Sequence, residues 1–175
     1  ITPSQVSEMQ EVHQLLKKEG IRADKSLDYT CGIYDDEMNL IATGSCFGNT
    51  LRCMAVSSEH QGEGLMNLIV SHLVSIQADR GNTHLFLYTK CDSAEFFRGL
   101  GFYEIKRIQG QIVFMENRRT GFSDYLTGLQ KETEASPVIK RLSRDRGNED
   151  FRTAALVMNA NPFTLGHQYL VEQAA

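Results

Sequence analysis

Apolar positions follow two different periods along the chain, and together these periods predict a mixed α/β protein. Apolar residues three or four positions apart predict amphipathic helices at residues 6–19, 65–80 and 122–129, and a shorter helix is predicted at 92–98. Short runs rich in β-branched and aromatic residues predict strands at residues 29–34, 40–45, 51–56, 85–89, 103–108 and 111–116. The run 85–89 is apolar on both faces, which is typical of a central strand.

The pattern changes after residue 130, and this change predicts a second domain. Charged and polar residues dominate residues 131–150, which indicates a connector on the surface. Residues 153–158 then form an apolar run that predicts a buried strand, and a helix is predicted from His167 onward. We therefore expect one domain at residues 1–130 and the first βα unit of another at 151–175. Because the chain lacks an initiator Met and stops inside a predicted helix, we expect a piece of a longer polypeptide.

The composition narrows the range of partners and compartments. The 175 residues include 18 Lys and Arg against 22 Asp and Glu, which gives a net charge of −4. This balance argues against a nucleic acid or an anionic membrane as the main partner, and no apolar run approaches the ~20 residues of a membrane span. The cysteines lack C-x-x-C spacing, so we expect reduced thiols in a cytoplasmic protein and no metal site. They are Cys31, Cys46, Cys53 and Cys91.

A glycine-bearing turn separates the strand at 51–56 from the helix that begins at residue 65. The turn consists of Gln61, Gly62, Glu63, Gly64, Leu65 and Met66. The first N–H groups of a helix lack partners and its N-terminal end is positive, so a bound phosphate is favoured there. Glycines let a phosphate approach the backbone closely. The pattern alone also fits a tight strand-to-helix turn with no ligand.

The same turn resembles the acyl-CoA loop of the GNAT acetyltransferase superfamily, Gln/Arg-x-x-Gly-x-Gly/Ala, except that Met66 stands at the last position. A second segment, residues 94–102, resembles the superfamily's helix that ends in Gly-Phe. The resemblance implies a GNAT acyl-CoA N-acyltransferase-like fold with a mixed sheet over residues 1–130. It also implies that CoA, acetyl-CoA or a CoA-like group binds with its pyrophosphate at residues 61–66 and its pantetheine between the splayed strands around Val56 and Tyr88.

The residues that would catalyse ordinary acetyl transfer are incomplete. Members of the superfamily commonly use a Tyr to protonate the departing thiolate, and Phe97 at that position has no exchangeable proton. Glu59 and His60 are candidate bases, although both residue types are also ordinary in a solvated turn. Tyr88 and Tyr103 could supply a hydroxyl, but a buried Tyr usually belongs to the core. The sequence therefore favours a domain that binds a pantetheine-like group without ordinary acetyl transfer.

A second motif, Thr164-x-Gly166-His167, lies between the predicted strand at 153–158 and the last predicted helix. Nucleotidyl transfer is accelerated by hydrogen-bond donors positioned around the phosphate, and a His on a first helical turn can supply one. The Thr hydroxyl can add a second donor, and the Gly lets a nucleotide lie close to the backbone. Alternatively, His167 is a helix-start residue with a structural hydrogen bond. The position between strand and helix favours the nucleotide site.

This motif resembles the H/T-x-G-H signature of the nucleotidyltransferase superfamily, and the string at residues 157–167 resembles the citrate lyase ligase family in particular. That family joins a GNAT-like domain to a Rossmann-like nucleotidyltransferase domain, and the resemblance spans the whole chain. It implies that Thr164 and His167 are catalytic and that ATP, with Mg²⁺, lies against the residues around them. The ATP-contacting residues implied are Asn161, Pro162, Phe163 and Gly166.

The resemblance implies an ATP-dependent ligase that converts acetate into a thioester on the prosthetic-group thiol of the citrate lyase acyl carrier protein, with release of AMP and pyrophosphate. We expect the present chain alone to be inactive as a ligase. Two alternatives stay open from the residues: a stand-alone N-acetyltransferase that uses acetyl-CoA, and a non-catalytic module that recognises the carrier protein.

Overall fold

The computed structural model describes residues 6–135 and 156–174, and the side chains from residue 8. The chain divides into two compact units, Ile1–Gly128 and Leu129–Ala175. The helices are α1 (Val6–Lys18), α2 (Leu65–Asp79), α3 (Ala94–Gly99), α4 (Gly121–Ala135) and α5 (Leu165–Ala174). The strands are β1 (Tyr29–Tyr34), β2 (Leu40–Phe47), β3 (Thr50–Val56), β4 (Phe86–Thr89), β5 (Tyr103–Ile108) and β6 (Ile112–Glu116).

The six strands form one mixed sheet in the order β1-β2-β3-β4-β6-β5. All neighbouring strands are antiparallel except β3 and β4, which are parallel because α2 connects them. The mixed sheet with flanking helices confirms the predicted fold class.

Helices α1 and α2 pack on opposite faces of this sheet. Ala55 belongs to the apolar cluster under α1, whereas its neighbour Val56 belongs to the larger cluster under α2. Successive side chains of a strand point to opposite faces, so β3 contributes to both clusters. Gly44 on β2 permits close approach of α2, since a Cβ there would overlap Cγ2 of Ile69 and lie 3.0 Å from Cδ1 of Leu73.

The parallel strands β3 and β4 diverge after a short pairing. Only Thr50 with Phe86 and Leu51 with Leu87 are paired, although β3 continues to Val56. Within the diverging part, Cys53 has a φ of 49°, a conformation that non-glycine residues rarely adopt. The pairing of β2 with β3 also shifts register between Thr43 and Ser45. The irregular backbone accompanies an opening at the centre of the sheet.

The predicted strands of the first unit are confirmed to within two residues at their ends, and the predicted helices are confirmed as α1 to α4. Helix α3 starts after a 3-10 turn at Cys91–Ser93, so the prediction of a helix from residue 92 was two residues early. Helix α4 continues to Ala135, so the first five residues of the predicted connector, 131–135, are helical. The rest of the predicted connector lies outside the described residues.

The buried strand predicted at residues 153–158 is wrong over the part that the structure describes. Residues 153–155 of the predicted buried strand lie outside the described residues, but Leu156 to Met158 are not in a strand, and Leu156 and Val157 are exposed. A buried strand requires hydrogen bonds to neighbouring strands, and the described residues supply none beside this segment.

Candidate functional site

The turn between β3 and α2 presents a row of backbone N–H groups. Gly62 and Gly64 have φ angles of 92° and 78°, and nothing lies within 4 Å of where a Cβ on either residue would stand. Gly64 caps α2, and no side chain caps this helix end. Among the residues that the structure describes, none accepts a hydrogen bond from the N–H groups of residues 61–66. Free N–H groups at the positive end of a helix form a favourable place for an anion.

A cleft of about 850 Å³ extends from this turn into the gap between β3 and β4. Its walls also include residues of α3 and of the turn that follows α1. Most of the predicted binding residues line the cleft: Val56, Gln61, Gly62, Gly64, Leu65 and Met66. Glu63 instead pairs with His60, whose Nδ1 lies 3.2 Å from Oε1 of the carboxylate. The structure therefore brings together an apolar gap and a turn with free donors.

Two aromatic residues at the gap decide how polar its interior is. Phe97 is only 5% exposed, lines the cleft and packs edge-on against Phe102 of the core. Tyr88 also lines the cleft, and its ring stacks on that of Phe114 with centroids 4.5 Å apart. Tyr88 is 52% exposed, so the ordinary alternative for it, a buried core residue, does not apply. Its neighbour strand β3 has already diverged at this position, which uncovers the ring.

The candidate acid–base residues are engaged in surface contacts. The Oε1 atom of Glu59 lies 3.2 Å from Nζ of Lys18, and Glu59 is not part of the cleft wall. His60 is in the wall but pairs with Glu63. Tyr103 lies on the edge strand β5 beneath the guanidinium of Arg119 and away from the cleft. The cleft can therefore bind and enclose a ligand, but its interior lacks a buried proton donor among these candidates.

In the second unit, Thr164 and His167 contact each other at the start of α5. The Nδ1 atom of His167 accepts a hydrogen bond from the backbone N–H of Thr164 at 3.0 Å, and it lies 2.8 Å from the Thr164 hydroxyl. This contact satisfies one of the free N–H groups of the helix start, as in a capping box. Since a backbone N–H can only donate, this contact favours the tautomer with the ring proton on Nε2. The ring is thus held in place and keeps a donor that the cap does not use.

The other residues predicted to contact ATP lie on the surface of the same segment. Asn161, Pro162 and Phe163 are exposed, and the peptide between the first two is cis. The ring of Phe163 lies 5.6 Å from that of His167. A Cβ on Gly166 would lie 3.7 Å from the Thr164 hydroxyl oxygen, which is an ordinary contact. The sequence motif therefore forms one continuous turn around the His167 ring.

The cleft wall also contains two cations that the sequence did not single out, Arg22 and Lys90. They lie in separate turns, after α1 and after β4. Only the folded arrangement brings them to one cleft.

The part of the chain that the structure describes contains no helix long and apolar enough to cross a membrane. In the same ranges, residues 6–135 and 156–174, no group of three or more His, Cys, Asp or Glu is arranged to hold a metal ion.

The known proteins that this chain matches in sequence are described as citrate lyase ligases. The model of the citrate lyase ligase C-terminal domain matches residues 153–175. The [citrate [pro-3S]-lyase] ligase of Escherichia coli strain K12 is 36% identical over 172 residues, which are 98% of this chain and 45% of that protein. The ligase of Haemophilus influenzae is 32% identical over 163 residues, covering 93% of this chain and 44% of that protein. The chain therefore spans about half the length of the curated relatives it matches.

Solved structures with the same fold include acyltransferases. Escherichia coli ElaA superposes with a TM-score of 0.56 at 14% identity, over 66% of this chain and 93% of that one. An acyl-CoA N-acyltransferase from Pseudomonas aeruginosa gives the same TM-score at 12% identity, over 66% of this chain and 93% of that one. At these identities the likeness shows the fold, and it confirms the predicted GNAT-like fold.

Proposed function

Since the chain is a relative of the citrate lyase ligases over 98% of its length, we propose that it forms part of an ATP-dependent ligase that acetylates a carrier thiol of citrate lyase. A carboxylate oxygen of acetate attacks the α-phosphorus of ATP, pyrophosphate leaves, and acetyl-adenylate forms. The thiol of a CoA-like group on the acyl carrier protein then attacks the acetyl carbonyl, and AMP leaves. Magnesium enters with the ATP phosphates as part of the substrate.

The observation that supports this assignment most is the cleft between β3 and β4 with the free N–H groups of residues 61–66 at its end. We assign to this turn the pyrophosphate of the CoA-like arm, because backbone donors at a helix N-terminus favour such a group. The apolar gap beside Val56 and Phe97 would then enclose the pantetheine part and bring its thiol to the centre of the sheet.

We assign the first half-reaction to the segment around His167. Because Nδ1 is held by Thr164, the Nε2–H group can donate to a phosphate oxygen of ATP without a change in the ring's position. A donor that is positioned before the reaction stabilises the charge that develops on the phosphate at little reorganisation cost.

A second candidate function is a module that binds the carrier arm without catalysing acyl transfer. One observation favours it over a stand-alone N-acetyltransferase. Phe97 is buried at the gap, where a proton donor for the thiolate would be needed. We therefore expect at most weak turnover of acetyl-CoA with small amines. A robust rate that is lost in Glu59→Gln or His60→Ala would favour the acetyltransferase instead.

The assignment of two half-reactions to two sites can be tested in a ligase that contains this sequence. His167→Ala should slow acetate-dependent pyrophosphate release by about 10²–10³-fold, the usual effect of losing one positioned donor. It should spare thiol acetylation from added acetyl-adenylate, measured by the intact mass of the carrier protein. The 175-residue chain alone should release no pyrophosphate.

His167→Asn is the matched control, because its side-chain oxygen can still accept the Thr164 N–H while the ring donor is lost. We expect it to be as slow as His167→Ala and as stable as the wild type. If His167→Asn formed adenylate at the wild-type rate, His167 would serve only as a helix cap and the assignment would be wrong.

A further inference from the structure

We propose that Arg22 and Lys90 bind the phosphate of the acyl donor on the side of the cleft away from the glycine turn. The inference rests on the proposed function and makes it more specific, since it assigns the second half-reaction to the gap between β3 and β4. The ligand class is an acyl phosphate, in which a phosphate monoester is the leaving group.

The cleft connects the two faces of the sheet at this gap. Its wall includes Ala55, which belongs to the apolar cluster under α1, and Val56, which belongs to the cluster under α2. The glycine turn lies at the N-terminus of α2, whereas Arg22 lies in the turn that follows α1. Two ligands can therefore enter from opposite faces and meet between the strands.

Arg22 and Lys90 come from different elements and both line the cleft, and Lys90 reaches the turn that carries Arg22. The Nζ atom of Lys90 is 3.9 Å from where a Cβ on Gly20 would stand, and Gly20 is two residues from Arg22. Both side chains belong to exposed residues in the cleft wall. Within residues 6–135 and 156–174, neither cation forms an ion pair. Two uncommitted cations on one wall favour a ligand group with more than one negative charge.

The acidic residues in the wall leave these cations available. The carboxylate of Glu19 already accepts hydrogen bonds from the N–H and the hydroxyl of Ser58, at 2.8–2.9 Å. Asp92 is the other acidic residue in the wall, and in the described part of the chain its carboxylate forms no ion pair. The negative charge of Asp92 in the same wall opposes a bound anion, so its removal provides a variant that should act in the opposite direction.

Thiol acetylation from an acyl phosphate is favoured by positive charge beside the leaving group. The thiol sulphur forms a bond to the acetyl carbon, the bond from that carbon to the phosphate oxygen breaks, and the phosphate leaves with the electron pair. The thiol proton passes to solvent. Negative charge increases on the departing phosphate, so two cations beside the gap would stabilise the transition state more than the ground state.

Lys90 has one simpler explanation that the test must separate. Its ammonium lies near the last turn of α1, where Gly20 ends the helix and the carbonyl end favours a cation. A purely structural role predicts a loss of stability without an effect on ligand binding. The phosphate-site role predicts a loss of binding at unchanged stability.

AMP, which carries the same phosphate monoester as the leaving group, is the probe, and adenosine is its uncharged control. In NMR titrations of the 175-residue chain, AMP should shift the amides of residues 19–22 and 89–92. The double variant Arg22→Gln/Lys90→Gln should weaken this site by about tenfold, a usual effect of removing two partly exposed charges. Lys25→Gln, an exposed cation outside the cleft wall, should leave the affinity unchanged, and Asp92→Asn should raise it.

Three results would overturn the proposal: equal AMP affinity in the wild type and the double variant, shifts that vanish only in His167→Ala, or equal shifts with adenosine. A double variant that loses AMP binding and also melts at a lower temperature would mean that Lys90 stabilises the C-terminal end of α1 and does not bind the phosphate. Because the titration uses no CoA-like ligand, its outcome is independent of whether the glycine turn binds a pyrophosphate.

Discussion

At the scale of single residues, Asp28 connects the strands to the far end of α2. Its carboxylate accepts hydrogen bonds from the Gly48 N–H and from Nη1 of Arg80, both at 2.7 Å, and the Cys46 thiol lies 3.3 Å away. Burial alone would raise the pKa of Asp28, but the bonds from Arg80 and Gly48 outweigh it and lower the pKa below 3.8. The folded state therefore favours the charged carboxylate.

We expect Asp28→Asn to lower the free energy of unfolding by about 1–2 kcal/mol at pH 7, the scale for charged hydrogen bonds that are partly solvated. Because the pKa of Asp28 is lowered in the folded state, its contribution is complete above the unfolded value near 4 and is lost as the pH falls through the folded value. Urea titrations at several pH values should therefore converge for wild type and variant in acid. Asp36→Asn, in an exposed turn, is the control, and a pH-independent difference would contradict this role.

The same cluster affects the chemistry of a cysteine. Burial, followed by the hydrogen bond and negative charge of Asp28, raises the pKa of Cys46 to about 11. The structure confirms buried, free thiols at Cys31, Cys46 and Cys53, whereas Cys91 is half-buried in a turn. The sequence predicted these surroundings because Cys31 and Cys53 belong to predicted strands and Cys46 directly follows one. The exposure of Tyr88 could not be read from its own segment, because it depends on where β3 diverges from β4.

At the scale of elements, the packing of α2 on β2 depends on a missing side chain. Gly44→Ala would place its Cβ against Ile69 and Leu73, both of which are buried. We expect a loss of about 1–3 kcal/mol in the free energy of unfolding, as for other overpacked cores. Denaturant titrations would measure it.

Gly128→Ala makes the same chemical change in α4, where nothing lies within 4 Å of the new Cβ. It should stabilise the chain by about 0.5–1 kcal/mol, because alanine is the better helix former. If both substitutions changed the free energy of unfolding in the same direction, the effect of Gly44→Ala would come from backbone propensity and not from the packing of α2.

The local patterns predicted most elements of the first unit, since each helix and strand carries its own apolar period. The order of strands in the sheet and the short pairing of β3 with β4 depend on contacts between distant segments, and no local period encodes them. The glycine turn was recognisable because its motif is contiguous in the sequence. Arg22 and Lys90 were not, because they are distant in the sequence and line one cleft only in the folded chain. The buried strand expected at 153–158 was wrong at its described end, because an apolar run forms a strand only beside a partner.

At the scale of the whole molecule, we propose that the unit Ile1–Gly128 binds the thiol arm and that the turn around His167, in the unit Leu129–Ala175, binds the nucleotide. The central claim is that the turn of residues 61–66 binds the phosphates of a CoA-like arm. Substitutions at two glycines can isolate it. Gly64 and Gly81 flank opposite ends of α2 with φ angles of 78° and 80°, and neither has an atom within 4 Å of a new Cβ. Equal backbone strain is therefore expected at both.

The most direct measurement is calorimetric titration of CoA and dephospho-CoA into the wild type, Gly64→Asp, Gly64→Asn and Gly81→Asp. Asp and Asn have nearly the same shape and both tolerate a positive φ, so their difference at Gly64 reports charge beside the phosphates. We predict that Gly64→Asp weakens binding by tenfold or more, about the value of one lost charged hydrogen bond, that Gly64→Asn weakens it less, and that Gly81→Asp leaves it unchanged. Equal affinities for Gly64→Asp and Gly81→Asp would contradict the account.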